Sequence, residues 1–384
     1  MTIYLDYAAT TPVDPAVATT LADAMANPAM LANPSASHAA GRDSERHVAH
    51  AADQLGALLQ CAPSQIVWTS GATEADNLAL LGGARYRARR GRHLVTMPTE
   101  HKAVTDTCRQ LERDGYSVTW LTPDASGRVD LAELEASLRE DTQLVSIMHV
   151  NNETGVTQDI ETIGSLCRAR DILFHVDAAQ SVGKLPLDFA DSTIDLLSLS
   201  AHKMYGPKGI GALVVADRPG CHVEPILYGG GQQGGRRPGT LPVPLIVAFG
   251  KAAQLATTHM AADLERTREL RDRLWQGIAD LDGVTLNGDA EAHYPGILNV
   301  GVDGVEGESL LLALDPVCVA TGSACNSRDR EPSRVLRSMG RSDTEAQSAI
   351  RFSFGRFTRD DDIDEAVARY RDAVTRLRAL APAA

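Results

Sequence analysis

Positive charge is in short supply in this sequence. Lys and Arg number 37 against 50 Asp and Glu, a formal net charge of −13 at pH 7. Gripping a phosphate backbone takes clustered cations, so direct nucleic-acid binding is not expected. Long apolar runs are missing too: no stretch reaches the roughly 18 residues that a membrane-spanning helix needs. The start, Met1 to Asp6, has neither the basic residues nor the apolar run of a signal peptide, and a cytoplasmic location is the expectation. Cysteine is sparse. Cys61, Cys108, Cys167, Cys221, Cys318 and Cys325 make no C-x-x-C pair and no Cys/His zinc spacing, so neither a disulfide framework nor a metal site is expected.

What is present suits a two-part globular chain. The 384 residues are 43% apolar and allow one large and one smaller domain. Short apolar runs at His93 to Met97, Ser117 to Leu121, Leu144 to Val150, Ile172 to Val176, Ile194 to Leu199 and Gly211 to Val215 alternate with helical patterns. Continuous rather than alternating apolar character predicts strands covered on both faces, in a mostly parallel sheet with crossover helices. Beyond about Gly250 the texture changes to a long charged helix, roughly Lys251 to Asp280, and a C-terminal helix after a cap at Thr358, the marks of a smaller α+β domain.

In parallel sheets, ligand groups gather at strand C-termini and helix N-termini. Asp177 follows one apolar run, with Gln180 three residues on, while Ser200, His202 and Lys203 follow another. Asn152 closes a third and His101 a fourth, and Ala72 and Thr73 open a helix after Gly71. One Lys to form a Schiff base, one Asp to face a pyridinium nitrogen, and hydroxyls at a helix start are what pyridoxal 5'-phosphate requires. Taken singly, each has a plainer reading: a solvated Lys, a capping Asp, a structural His.

The ordered set resembles a known family. Tyr4 to Pro12, Asn33-Pro34-Ser35, Thr69 to Asn77, Thr99-Glu100-His101, His149 to Gly155, Val176 to Ser181 and Ser200 to Gly209 are similar, in order, to motifs of cysteine desulfurases of the first group, within the class V aminotransferase family. That resemblance implies a fold-type-I pyridoxal-phosphate-dependent transferase of α/β class. A mostly parallel seven-stranded sheet would lie in a large domain, 15–255, with 1–14 and 256–384 forming a smaller α+β domain that carries the cysteine loop. It implies that Lys203 holds the cofactor and shuttles protons, that Asp177 keeps its ring nitrogen protonated, that His101 stacks on the ring and that Gln180 bonds its phenolic oxygen. Thr73, Ser200 and His202, beside Ala72, would bind the phosphate, with Thr240 of the partner subunit in a homodimer. Arg351 and Asn152 would grip the substrate carboxylate.

Cys325 decides the reaction. It lies in Thr321-Gly322-Ser323-Ala324-Cys325, small residues ahead of a charged stretch, and this resembles the catalytic loop of the first desulfurase group with Thr321 for its first Ser. The implied activity converts L-cysteine to L-alanine and leaves a persulfide on Cys325 for a sulfur-acceptor protein. A class V aminotransferase or lyase would keep Lys203 and Asp177 but have no use for Cys325, and a catalytically idle sulfur-relay or scaffold protein would have no use for Lys203, Asp177 and His101. Two features depart from the pattern: Gln232-Gln233 stands where His-Glu is usual, and Pro238 where Ser or Thr is. Housekeeping members of the group also carry a further C-terminal tail that engages a cluster scaffold, which leaves the acceptor open.

Overall fold

Adjacent residues along the central strands part company. Leu94, Leu144, Leu173, Leu196 and Leu213 enter one buried cluster, with the helices Ala72–Asn77 and Lys102–Arg113. Their neighbours Val95, Val145, Phe174, Leu197 and Val214 enter another, with the helices Ala39–Leu59 and Ile160–Ala169. Because successive side chains of a strand point to opposite faces, a sheet covered on both sides needs apolar residues at every position. That is why these segments read as unbroken apolar runs.

The computed structural model describes residues 2–321 and 331–380. Its main sheet has seven strands, in the order Ile66–Thr69, Gly211–Val215, Leu196–Ser200, Leu173–Asp177, Thr142–Ser146, His93–Thr96 and Ser117–Trp120. Gly211–Val215 runs antiparallel to both neighbours, and the remaining pairings are parallel. This is the α/β architecture expected of fold type I. A second, four-stranded antiparallel sheet joins Ala320–Thr321, Ile350–Ser353, Ile297–Val302 and Val284–Leu286. The N-terminal Ile3–Tyr4 pairs in parallel with Val317–Cys318 and packs Leu5 into the same smaller core.

Two details correct the sequence reading. The long helix begins at Val243, not near Lys251, and runs without a break to Ile278. Its first half buries Ile246, Phe249 and Ala253 against the large sheet, and its second half buries Leu270, Leu274 and Ile278 against the small one. The uncharged start hid this half from an argument built on amphipathic pattern, although Pro244 is well placed in a first turn. The C-terminal helix begins at Asp360, so Thr358 is not its cap. Thr358 instead accepts from the Gly355 N–H at 3.2 Å, and Asp362 accepts from the Arg359 N–H at 3.0 Å.

Candidate active site

A cavity of about 730 Å³ opens at the C-terminal rim of the parallel strands. Ala72, Thr73, His101, Asn152, Asp177, Gln180, Ser200, His202, Lys203 and Arg351 all line it, although they come from across 280 residues of chain. Its deepest approach depends on glycine. A Cβ on Gly211 would stand 2.6 Å from both the Gly71 Cα and the Leu199 carbonyl, so only glycine lets the Gly71 turn close over the neighbouring strand. The helix carrying Ala72 and Thr73 starts at that turn.

The N-terminal segment is woven through the cationic side. Lys203 Nζ donates to the Ala8 and Ala9 carbonyls at 2.6 and 2.8 Å. Thr11 donates to the His202 carbonyl and accepts from the Tyr205 N–H, and Thr10 meets His202 Nδ1 at 3.1 Å. Arg351, buried, donates to Asp6 and to the Asn152 carbonyl, both at 2.7 Å. Gln180 is pinned between the Ala8 carbonyl and Lys184 Nζ, each at 2.8 Å. His101 caps its helix, accepting from the Ala103 N–H at 3.2 Å through Nδ1.

Burial shapes the charges. It raises the Asp177 carboxyl to about 6, with Asp76 pushing the same way and His101 opposing. It holds His202 down to about 4, helped by Lys203, Lys208 and Lys184, so this ring is a neutral donor at neutral pH. The sequence reading missed Asp76, Glu100 and Lys184. Asp76 is fully buried, and neither of its oxygens has a hydrogen bond among the described residues; it faces His175 Nε2 at 3.6 Å. Burial also pushes Glu100 well up and brings Lys184 down to about 7. Asp76 did leave a trace, as a lone acid inside the apolar run Ala75 to Leu81.

One predicted residue, expected to serve the partner subunit's site, is not in the lining of this cavity. Thr240 is exposed, in the loop after Tyr228 and away from the lining. Cys325 lies outside the described residues. Among the other cysteines, burial drives the Cys61, Cys108, Cys167 and Cys221 thiols upward, which disfavours the reactive thiolate. The departures in the glycine-rich loop have a structural role. Gln233 accepts from the Trp68 N–H at 2.6 Å and donates to the Trp68 carbonyl at 2.9 Å, pairing with an edge strand as a backbone would. Gln232 accepts from Gly239 N–H at 2.8 Å, and Arg237 grips Glu74 on the cavity's helix at 2.7 Å.

The family model for class-V aminotransferases matches residues 3–366 of this chain. The chain belongs to that family. Its similarity to the cysteine desulfurase IscS of Pectobacterium carotovorum subsp. carotovorum (strain PC1) is 55% identity over 381 residues, covering 99% of this chain and 94% of that protein. Among solved structures, a NifS-like protein superposes with a TM-score of 0.91 at 33% identity, covering 98% of this chain and 100% of the other. A structure of SspA in complex with cysteine gives a TM-score of 0.82 at 38% identity, covering 92% and 99%. Members of the family work with pyridoxal 5'-phosphate, and the cavity fits it: a lysine, a buried carboxyl and hydroxyl and imidazole donors at a helix start share one chamber.

Proposed function

We propose that this chain is a cysteine desulfurase, a sulfurtransferase that converts L-cysteine to L-alanine and leaves the sulfur as a persulfide on Cys325. The observation that carries the reading is the meeting of Lys203, Asp177, His101 and Arg351 on one cavity in a chain so similar to desulfurases. When bound, the cofactor supplies an electron sink that acidifies the substrate's α-carbon. Lys203 would hold it and move protons at that carbon, and Asp177 would keep its ring nitrogen protonated. His101 would stack on the ring, and Gln180 would hydrogen-bond its phenolic oxygen. Thr73, Ser200 and the neutral His202, next to Ala72, would bind its phosphate, and Thr240 of the partner subunit would complete that site in a homodimer.

Arg351 and Asn152 take the substrate carboxylate, for which a bidentate guanidinium is well shaped. The Cys325 thiolate then attacks the substrate sulfur. An S–S bond forms as the C–S bond breaks, protons return to carbon, and cysteine plus thiol becomes alanine plus persulfide with no outside oxidant. We assign 15–255 to the large domain, and 1–14 with 256–384 to the small one. The enzyme works in the cytoplasm and passes sulfur to a protein acceptor, in iron–sulfur cluster assembly, tRNA thiolation or other sulfur trafficking.

Cys325→Ser tests the reading. The variant should bind cofactor and cysteine, yet form alanine at least about a thousandfold more slowly, because a hydroxyl is a poor nucleophile toward sulfur. Wild type given cysteine without reductant should gain one sulfur atom of mass on the peptide containing Cys325. A variant that keeps full alanine production, or a persulfide on another cysteine, contradicts the proposal. Conversion of cysteine to its sulfur-bearing keto acid, with neither alanine nor persulfide formed from it, favours the aminotransferase alternative.

A further inference from the structure

Lys184 is a buried amine that the reaction proposed above does not use. It lies in the turns that follow the strand Leu173–Asp177, where the Val182 and Leu185 N–H groups donate to carbonyls four residues back, on Ala178 and Ser181. That winding sets Lys184 one turn beyond Gln180. The side chain folds back, and Nζ donates to Gln180 Oε1 at 2.8 Å. Gln180 lines the cavity, whereas Lys184 stands behind it, and both are buried. The Tyr294 ring, also buried, encloses the amine, with Nζ 5.6 Å from the ring centre.

A glutamine amide has two ends of opposite character, and its neighbours decide which of them a ligand meets. Lys184 offers N–H donors whether charged or neutral, and so it claims Oε1. At the other end Gln180 Nε2 donates to the Ala8 carbonyl at 2.8 Å, and the same nitrogen carries a second N–H. That N–H is the donor a phenolic oxygen in the cavity would take. The Ala8 carbonyl alone is a weaker guide, because it also accepts from Lys203 Nζ at 2.6 Å. Without Lys184, Oε1 would be stranded away from water. The amide would then gain by turning that oxygen toward Lys203, the other donor at the Ala8 carbonyl, and its N–H groups would leave the cavity side. Burying an amine is costly in itself. Burial, with Lys203 and Arg351 adding to it, brings Lys184 down to about 7. An apolar side chain would fill the same place at less cost, so the use of the amine lies in what it holds.

We propose that Lys184 is a positioning residue for the cofactor, fixing the Gln180 amide with its N–H side toward the cavity, where the ring's phenolic oxygen would bind. This inference deepens the role given to Gln180 above and rests on it.

The test compares pyridoxal 5'-phosphate with 3-deoxypyridoxal 5'-phosphate, which lacks that oxygen. Equilibrium affinity of the full chain for each, followed by absorption, gives a preference for the oxygen. A variant that merely loosens the fold weakens both ligands alike and leaves the preference unmoved. Lys184→Met and Gln180→Leu should each lower the wild-type preference by about three- to tenfold, the worth of one hydrogen bond. The double variant should lose no more than either single one, because both remove the same contact. If Lys184→Met does not fold, Lys184→Leu carries the same comparison. An unchanged preference in the Lys184 variant, beside a lowered one in Gln180→Leu, would overturn this inference alone. An unchanged preference in both would overturn the role of Gln180 with it. Additive losses in the double variant would also overturn the inference, since the amine would then act on the oxygen by its charge and not through the amide. The desulfurase reading is decided separately, by Cys325→Ser.

Discussion

The two walls of the cavity make an instructive pair. One is acidic and deep: Asp177, with Asp76 and Glu100 behind it, all held upward by burial. The other is cationic: Lys203, His202 and Arg351, laced to the N-terminal segment, with Lys184 behind Gln180; burial holds His202 and Lys184 downward. The same force, removal from water, pushes Asp177, Asp76 and Glu100 up and His202 and Lys184 down, each toward its neutral form. The difference lies in how each is restrained. The cations are tied by numerous hydrogen bonds to carbonyls, whereas Asp76 has none among the described residues. A ligand with an anionic end and a cationic ring fits between them.

Removing one residue from each wall should give the largest effects. Lys203→Ala should abolish covalent cofactor attachment and turnover together; borohydride reduction and peptide mapping would place the tag, and a tag on another lysine breaks the comparison. Asp177→Asn should still bind cofactor but lower kcat by about 10²–10³, since it removes one preorganised charge opposite the ring. Near-normal turnover would mean that the acidic wall does not face the ring nitrogen.

Lys184 sharpens the contrast through pH. In the unfolded chain its amine stays protonated to about pH 10. In the folded chain burial holds it near 7, with Lys203 and Arg351 adding to the effect. Between those values the unfolded chain binds more protons, so this group's contribution to stability rises with pH and is lost as pH falls toward 7. Cofactor-free Lys184→Met should therefore gain most on wild type at neutral pH and least near pH 10, by chemical denaturation. A constant difference across that range would contradict the buried-amine account.

The smallest expected effect lies outside both walls. Gln233→Glu would place a second acceptor against the Trp68 and Arg237 carbonyls that the amide now bonds. A loss of about 1 kcal/mol, seen as a melting temperature about 2 °C lower, is expected with kcat unchanged. Unaltered melting would show that this pairing with the edge strand contributes nothing.

Much of the site was legible because strand ends announce themselves. An apolar run that stops at Asp177, or at Ser200 and Lys203, marks a rim on sequence alone. What stayed hidden depends on partners distant in the chain. Lys184 looks like a surface residue until Gln180 and Tyr294 enclose it, with the amine 5.6 Å from the ring centre. Glu153 looks like part of a turn until Ser333 arrives from 180 residues away. The helix from Val243 was missed for the opposite reason: its first half is apolar on too many sides to show a period.

That helix has a consequence for how the molecule can change. It gives one half to each core, so it acts as a ruler and a dial between them. Adding a single residue near its middle would advance the far end by about 1.5 Å and turn it by about 100°. The small sheet, and Arg351 with it, would swing away from Lys203. The phase of this helix is therefore frozen, because the position of Arg351 relative to Lys203 is written in its count of residues.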